Sequence, residues 1–209
     1  MKQSYQEFLR RKLVSAHPNG LQSVPALDGH LFDFQSRVTE RALRAGRYAL
    51  FLDTGLGKTI CQLEWARRVP GKVLILAPVA VAPQTVREAA DKLGLPVLHS
   101  RDGTVGSGIT ITNYERLHLF DVSEFTGVVL DESSILKSFT GKTRNLLVEQ
   151  FRNTPFRLCC TATPSPNDHT ELGNHAEFLG IMTTGQMQAR WFINDTGETG
   201  TWRLKGHAA

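Results

Sequence analysis

Short apolar runs recur along the chain and alternate with stretches whose apolar residues fall three and four positions apart. The runs are Tyr48–Leu52, Val73–Pro78, Val97–Ser100, Ile109–Thr112, Val128–Leu130 and Arg157–Thr161. Between them lie amphipathic segments at Gln35–Ala45, Thr59–Val69, Pro83–Leu93, Lys142–Phe151 and Thr170–Leu179. Strands that are almost continuously apolar are buried on both faces. Their alternation with helices at this spacing predicts an α/β fold of three layers, with a central, mostly parallel sheet. In such sheets the working loops lie beyond the carboxyl ends of the strands.

The two ends of the chain break this rhythm. Tyr5–Val14 has the spacing of a short amphipathic helix, after which His17, Pro18, Asn19, Gly20 and Pro25 interrupt any periodicity. Residues 1–30 therefore read as an N-terminal extension packed on a sheet domain at 31–182. Beyond Thr183 glycine and threonine are frequent, so 183–209 reads as an irregular tail. It carries Trp191 and Trp202, whose packing partner is expected outside this chain.

Composition narrows the function classes. With 209 residues, 41% hydrophobic and 21% charged, the chain has an ordinary globular balance, which excludes disordered, collagen-like and low-complexity classes. The longest apolar runs fall far short of the about 20 residues a membrane helix needs. No apolar stretch follows Lys2, so no secretory signal and no membrane partner are expected. The three cysteines, Cys61, Cys159 and Cys160, form no CxxC pair, and two are adjacent. Reduced thiols in a cytoplasm are the expectation. His30, His99, His118, His169 and His175 show no metal-ligand spacing and read as surface or core residues. A net charge of +4 permits a nucleic-acid partner without demanding one.

The most specific chemistry lies at Asp53-Thr54-Gly55-Leu56-Gly57-Lys58-Thr59, where an apolar run ends and a helical segment begins. Glycines let backbone N–H groups close around a phosphate, and a helix N-terminus adds positive potential. Lys58 is placed to reach the β- and γ-phosphates of ATP, and Thr59 to give a hydroxyl to Mg²⁺. The general GxxxxGK(S/T) pattern would start at position 52, which is leucine.

A second signal is Gly127-Val128-Val129-Leu130-Asp131-Glu132, a buried strand ending in two carboxylates 73 residues after Lys58. An aspartate there holds Mg²⁺ in P-loop enzymes, and the next glutamate can polarise an attacking water. Taken alone, an acidic strand end is a commonplace turn. The same holds for Leu158–Pro164, where Thr161 and Thr163 can bond the acidic pair across neighbouring strand ends. Gln35, 20 residues before Gly55, has both a donor and an acceptor to offer an adenine edge, or is simply an exposed helix-start residue.

Together these segments resemble the first RecA-like lobe of a superfamily 2 helicase. Gln35 resembles the Q-motif glutamine, Asp53–Thr59 motif I, Asp131-Glu132-Ser133-Ser134 motif II and Thr161-Ala162-Thr163 motif III. Leu76-Ala77-Pro78 resembles motif Ia, and Thr112-Asn113-Tyr114-Glu115 motif Ib. The Asn-Tyr-Glu triplet with Glu171-Leu172 and Phe178-Leu179 resembles the Swi/Snf-type branch, and phage genomes often carry such proteins. The likeness covers about residues 30–182. It implies ATP and Mg²⁺ as ligands, with Gln35, Thr54, Gly55, Leu56, Gly57, Lys58 and Thr59 binding ATP, and Thr59 and Asp131 the metal. It further implies Lys58 and Glu132 as catalytic residues and Thr161 and Thr163 as coupling residues. Pro78, Asn113 and Tyr114 would face non-specifically bound double-stranded DNA, with Lys137 and Lys142 nearby.

Motif II departs from its more frequent forms at Ser134. After Thr163 only Arg190 and Arg203 remain, and neither has the setting of an arginine finger. An arginine finger is worth about 10³–10⁵ in rate, so hydrolysis is expected only when a second RecA-like lobe completes the site, in cis or in trans. A non-catalytic nucleotide-binding module that pairs with another chain remains the alternative. A different P-loop ATPase, such as a clamp loader or kinase, is disfavoured by Gln35 and the Thr-Ala-Thr segment.

Overall fold

The computed structural model describes residues 19–137, 141–194 and 202–206. The Tyr5–Val14 segment lies outside the described residues. The six apolar runs form β1 (Arg47–Phe51), β2 (Val73–Ala77), β3 (Val97–His99), β4 (Ile109–Asn113), β5 (Gly127–Asp131) and β6 (Phe156–Thr161). They make one sheet in the order β1-β6-β5-β2-β4-β3, every pairing parallel. The amphipathic segments form α1 (Asp33–Ala45), α2 (Lys58–Arg68), α3 (Ala82–Leu93), α4 (Lys142–Gln150) and α5 (Leu172–Phe178).

Alternation along each strand sorts the side chains into two cores. Val73, Ile75, Val129, Leu158 and Cys160 pack with Leu43, Leu63, Trp65 and Ala89 of α1–α3. Leu74, Leu76, Val128, Leu130 and Cys159 pack with Leu117, Leu136, Leu147, Phe151 and Phe178 on the opposite face. The adjacent cysteines thus point to opposite sides of the sheet, and burial pushes both thiols up. No described helix is long and apolar enough to cross a membrane.

The stretch before α1 is pinned by backbone contacts. The Asn19 and Leu21 amides donate to the carbonyls of Ala45 and Leu43, at 3.2 and 2.9 Å. At the end of α1, Gly46 has φ 75°, and a Cβ there would stand 2.7 Å from the Gly20 nitrogen, so only glycine fits. Further along, the Asp28 amide donates to Glu64, a fully buried carboxylate that pairs with Arg68 at 2.7 Å. Pairing offsets the cost of burying that charge.

The tail differs from the irregular segment expected. Residues Thr184–Trp191 form a helix, α6, followed by an antiparallel pair, β7 (Phe192–Asn194) and β8 (Trp202–Leu204). The reason is a capping box at Thr183, whose hydroxyl accepts from the Gln186 amide while the Gln186 side chain accepts from the Thr183 amide. Glu177 of α5 fixes the new helix in place. It accepts from the Thr184 amide and hydroxyl and pairs with Arg144 at 2.6 Å.

Candidate nucleotide site

The sheet order assembles the site. Because β6 lies between β1 and β5, the loop after β1, the Thr161-Ala162-Thr163 segment and the acidic pair stand side by side at one end of the sheet.

The loop after β1 is exposed from Asp53 to Leu56, and Gly55 and Gly57 take the left-handed conformation at φ 85° and 80°. Gly57 also leaves no room for a side chain, since a Cβ there would stand 2.3 Å from the Gln35 amide nitrogen. Lys58 opens α2, which carries no acidic residue in its first turn and no side-chain cap. Its positive end is therefore uncompensated, the condition that suits an anion. The Lys58 ammonium donates to the Leu52 and Asp53 carbonyls at 3.0 and 3.3 Å, folded against the loop it would leave for a phosphate. Thr59 follows it on the first turn.

Gln35 is buried and uses both ends of its amide. Its oxygen accepts from the Phe32 amide and its nitrogen donates to the Leu56 carbonyl, each at 3.0 Å. It therefore braces the phosphate loop against the start of α1. Phe32 and Phe34 flank it, 70% and 39% exposed and stacked on each other, a surface the sequence reading did not single out.

Asp131 is buried at the end of β5, and its carboxyl is pushed above the usual range by burial first and by the neighbouring Glu132 charge. Lys58 and the buried Gln62 amide pull the other way. Two adjacent carboxylates, one of them desolvated, are the setting a divalent cation relieves. The residues present thus fit Mg²⁺, which Asp131 and Thr59 could hold. Glu132 has φ 55°, a left-handed conformation that no other described non-glycine residue takes. The Thr161 hydroxyl donates to its carboxylate at 3.3 Å and accepts from the Thr163 amide at 3.1 Å. Thr163 thus acts through its backbone, and its side chain is exposed.

Ser133, next in the chain, stands 3.2 Å from Nε2 of the buried His175, whose ring meets Phe51 edge-on at 5.2 Å. Burial holds His175 down to about 4. No spacing in the sequence pointed to that contact.

On the side of β2 and β4, Pro78 follows its strand as expected, whereas Asn113 is the last residue of β4. The Tyr114 side chain does not project from the surface, as a phosphate contact would need. It is buried, and its hydroxyl donates to the Asp131 carbonyl at 2.7 Å, because the turn after Asn113 folds its ring under the sheet. Beside Asn113 lies a small cavity of about 190 Å³ shared with Val79, His99, Arg101 and Arg116. Burial and the two guanidiniums hold His99 below its ordinary value, so the cavity's positive charge comes from the arginines. Lys137 and Lys142 are exposed.

The geometry defines a P-loop domain of the RecA-like type. No protein-family model and no curated protein matches the sequence. Solved structures share the fold. The UvsW helicase from bacteriophage T4 matches 88% of this chain and 67% of its own, at TM-score 0.59 and 16% identity. The Sulfolobus solfataricus SWI2/SNF2 ATPase core bound to double-stranded DNA matches 82% of this chain and 41% of its own, at TM-score 0.62 and 17% identity. The Hef helicase domain of Pyrococcus furiosus matches 71% and 36%, at TM-score 0.56 and 18% identity. The fold is that of the RecA-like lobe of helicase and Swi/Snf-type ATPase cores, and the chain spans well under half of the latter two structures.

Proposed function

We propose that this chain is the ATP-binding lobe of an ATP-dependent DNA helicase or translocase, which hydrolyses ATP when a second RecA-like lobe completes the site in cis or in trans. The carrying observation is the strand order. It sets Lys58 and Thr59, Thr161, and Asp131 with Glu132 on three neighbouring strand ends. In this reading the amides of the loop and the first turn of α2 hold the phosphates, and Lys58 exchanges two carbonyl partners for phosphate oxygens. Thr59 and Asp131 would hold Mg²⁺, which would supply positive charge to offset that of the phosphates. Glu132, steered by Thr161, orients the attacking water and accepts its proton. Gln35 keeps the loop closed from behind.

Double-stranded DNA is the partner that the structural neighbours suggest, since one SWI2/SNF2 core is seen in complex with it. The Asn113 amide and the guanidiniums of Arg101 and Arg116 suit phosphate oxygens, and Pro78 shapes the neighbouring turn. Such binding is electrostatic and weakens steeply with salt.

The test is ATP turnover by the chain, with and without duplex DNA, beside Lys58→Ala. The reading expects bound ATP and slow turnover that rises when a second RecA-like lobe is supplied. Turnover indifferent to Lys58→Ala contradicts it. A second reading, a non-catalytic module that pairs with another chain, is favoured by one feature. A cavity of about 380 Å³ is lined by Leu172, Met187, Trp191, Phe192 and Leu204. In that case supplying the lobe leaves turnover unchanged.

A further inference from the structure

We infer that the Tyr114 hydroxyl positions the acidic pair: it holds the Asp131–Glu132 peptide in its turned conformation and ties it to the loop after β4. The inference rests on the nucleotide reading above and adds to it a route between the two ligand surfaces.

On one side β5 pairs with β6 as far as Asp131 opposite Cys160. On the other its pairing with β2 ends one residue earlier, at Leu130 opposite Leu76. The Asp131 carbonyl has therefore run past the ladder on the β2 side, and the Tyr114 hydroxyl takes it at 2.7 Å. That carbonyl belongs to the peptide joining Asp131 to Glu132. Rotation of this peptide is rotation in ψ of Asp131 and φ of Glu132, and unless the two cancel it re-aims the Glu132 carboxylate relative to that of Asp131. Glu132 is held at φ 55°, where side chains other than glycine rarely rest. A strained turn persists only when its surroundings hold it: the Thr161 hydroxyl bonds the Glu132 carboxylate, the Ile135 amide donates to the Glu132 carbonyl at 3.2 Å, and the phenol grips the peptide before it.

The phenol is suited to the task. Its ring is buried with Leu117, Leu136 and Leu130, which leaves it little freedom. A phenol carries its proton at neutral pH, and here it donates that O–H to the Asp131 carbonyl. Its backbone begins the turn Tyr114–Leu119, directly after Asn113. That asparagine lines the small cavity with Arg101 and Arg116. A polyanionic backbone seated there bears on the same turn that carries Tyr114. One hydrogen bond thus separates the cationic cavity from the metal-holding carboxylates.

The test uses the full chain and a fluorescent ATP analogue, titrated with and without Mg²⁺. Tyr114→Phe keeps the ring and removes the hydroxyl. The expected result is unchanged binding without Mg²⁺ and a loss of about ten-fold in apparent Mg²⁺ affinity, the scale of outer-shell changes at metal sites. Duplex DNA is expected to shift the Mg²⁺ dependence of the wild type and to leave the variant's unmoved; an equal shift in both overturns the inference. Leu117→Ala, in the same turn but off the Asp131 carbonyl, lowers the melting temperature and spares the Mg²⁺ dependence. Equal Mg²⁺ dependence in wild type and Tyr114→Phe overturns the inference, as does an equal shift in Leu117→Ala. A Tyr114→Phe chain that does not fold assigns the hydroxyl to stability and overturns it too. No saturable nucleotide binding in the wild type overturns the nucleotide reading and this inference together.

Discussion

Replacing His175 by glutamine makes acid stability a test of the packing behind the acidic pair. His175 is 2% exposed and stands between Ser133 and Phe51, where burial lowers its pKa from 6.5 to about 4. The neutral ring is favoured in the folded state, so its contribution is whole above the unfolded pKa and is lost as pH falls from there toward the folded one. Each pKa unit is worth about 1.4 kcal/mol, so the full loss is about 3 kcal/mol, of which about 2 kcal/mol has gone by about pH 5. Against a total stability of about 5–15 kcal/mol that is a large fraction. Glutamine offers the Ser133 hydroxyl a donor or an acceptor and cannot titrate. The assay is urea unfolding of wild type and His175→Gln near pH 7.5 and near pH 5, with every other titrating group cancelling in the comparison. The variant should lose about 2 kcal/mol less than the wild type across that interval. Equal losses in the two proteins would refute the buried, neutral assignment of His175.

Asp131→Asn should raise the thermal midpoint of the nucleotide-free protein at neutral pH while abolishing Mg²⁺-dependent nucleotide binding. Burial raises the Asp131 pKa, so the folded state carries a penalty above that pKa, and the variant's advantage shrinks as pH falls toward the ordinary carboxylate range. Gln35→Ala removes two backbone contacts that brace the phosphate loop, and calorimetry should show a stability loss of about 1–2 kcal/mol with weaker ATP binding. An unchanged ATP affinity would detach Gln35 from the site. Gly57→Ala should be the more damaging of the loop variants, because it meets both the left-handed φ and the Gln35 amide; a thermal midpoint like that of the wild type would contradict this.

What the sequence discloses, and what it hides, follows from the range of the forces involved. The strands were legible because burial on both faces demands unbroken apolar runs such as Val73–Ala77. The phosphate loop was legible because its chemistry is local: glycine, lysine and threonine must be consecutive there. The tail helix was hidden by glycine and threonine content, although Thr183 and Gln186 already spelled its capping box. Contacts set by topology could not be read from spacing. Tyr114 meets Asp131 across 17 residues and Ser133 meets His175 across 42, and only the order of the strands brings either pair together. Gln35 was legible as a site residue, but its grip on the Leu56 carbonyl was not, because an amide's partners depend on the loop opposite.

The central claim is that the glycine loop, Lys58 and the acidic pair form one Mg²⁺-dependent ATP site. Equilibrium binding of Mg²⁺ and ATP to the folded chain, beside Lys58→Ala, tests it most directly. The account predicts saturable one-to-one binding in the wild type that Lys58→Ala removes without unfolding the protein. A folded wild type that shows no saturable binding, or a Lys58→Ala variant that binds as tightly, would contradict it.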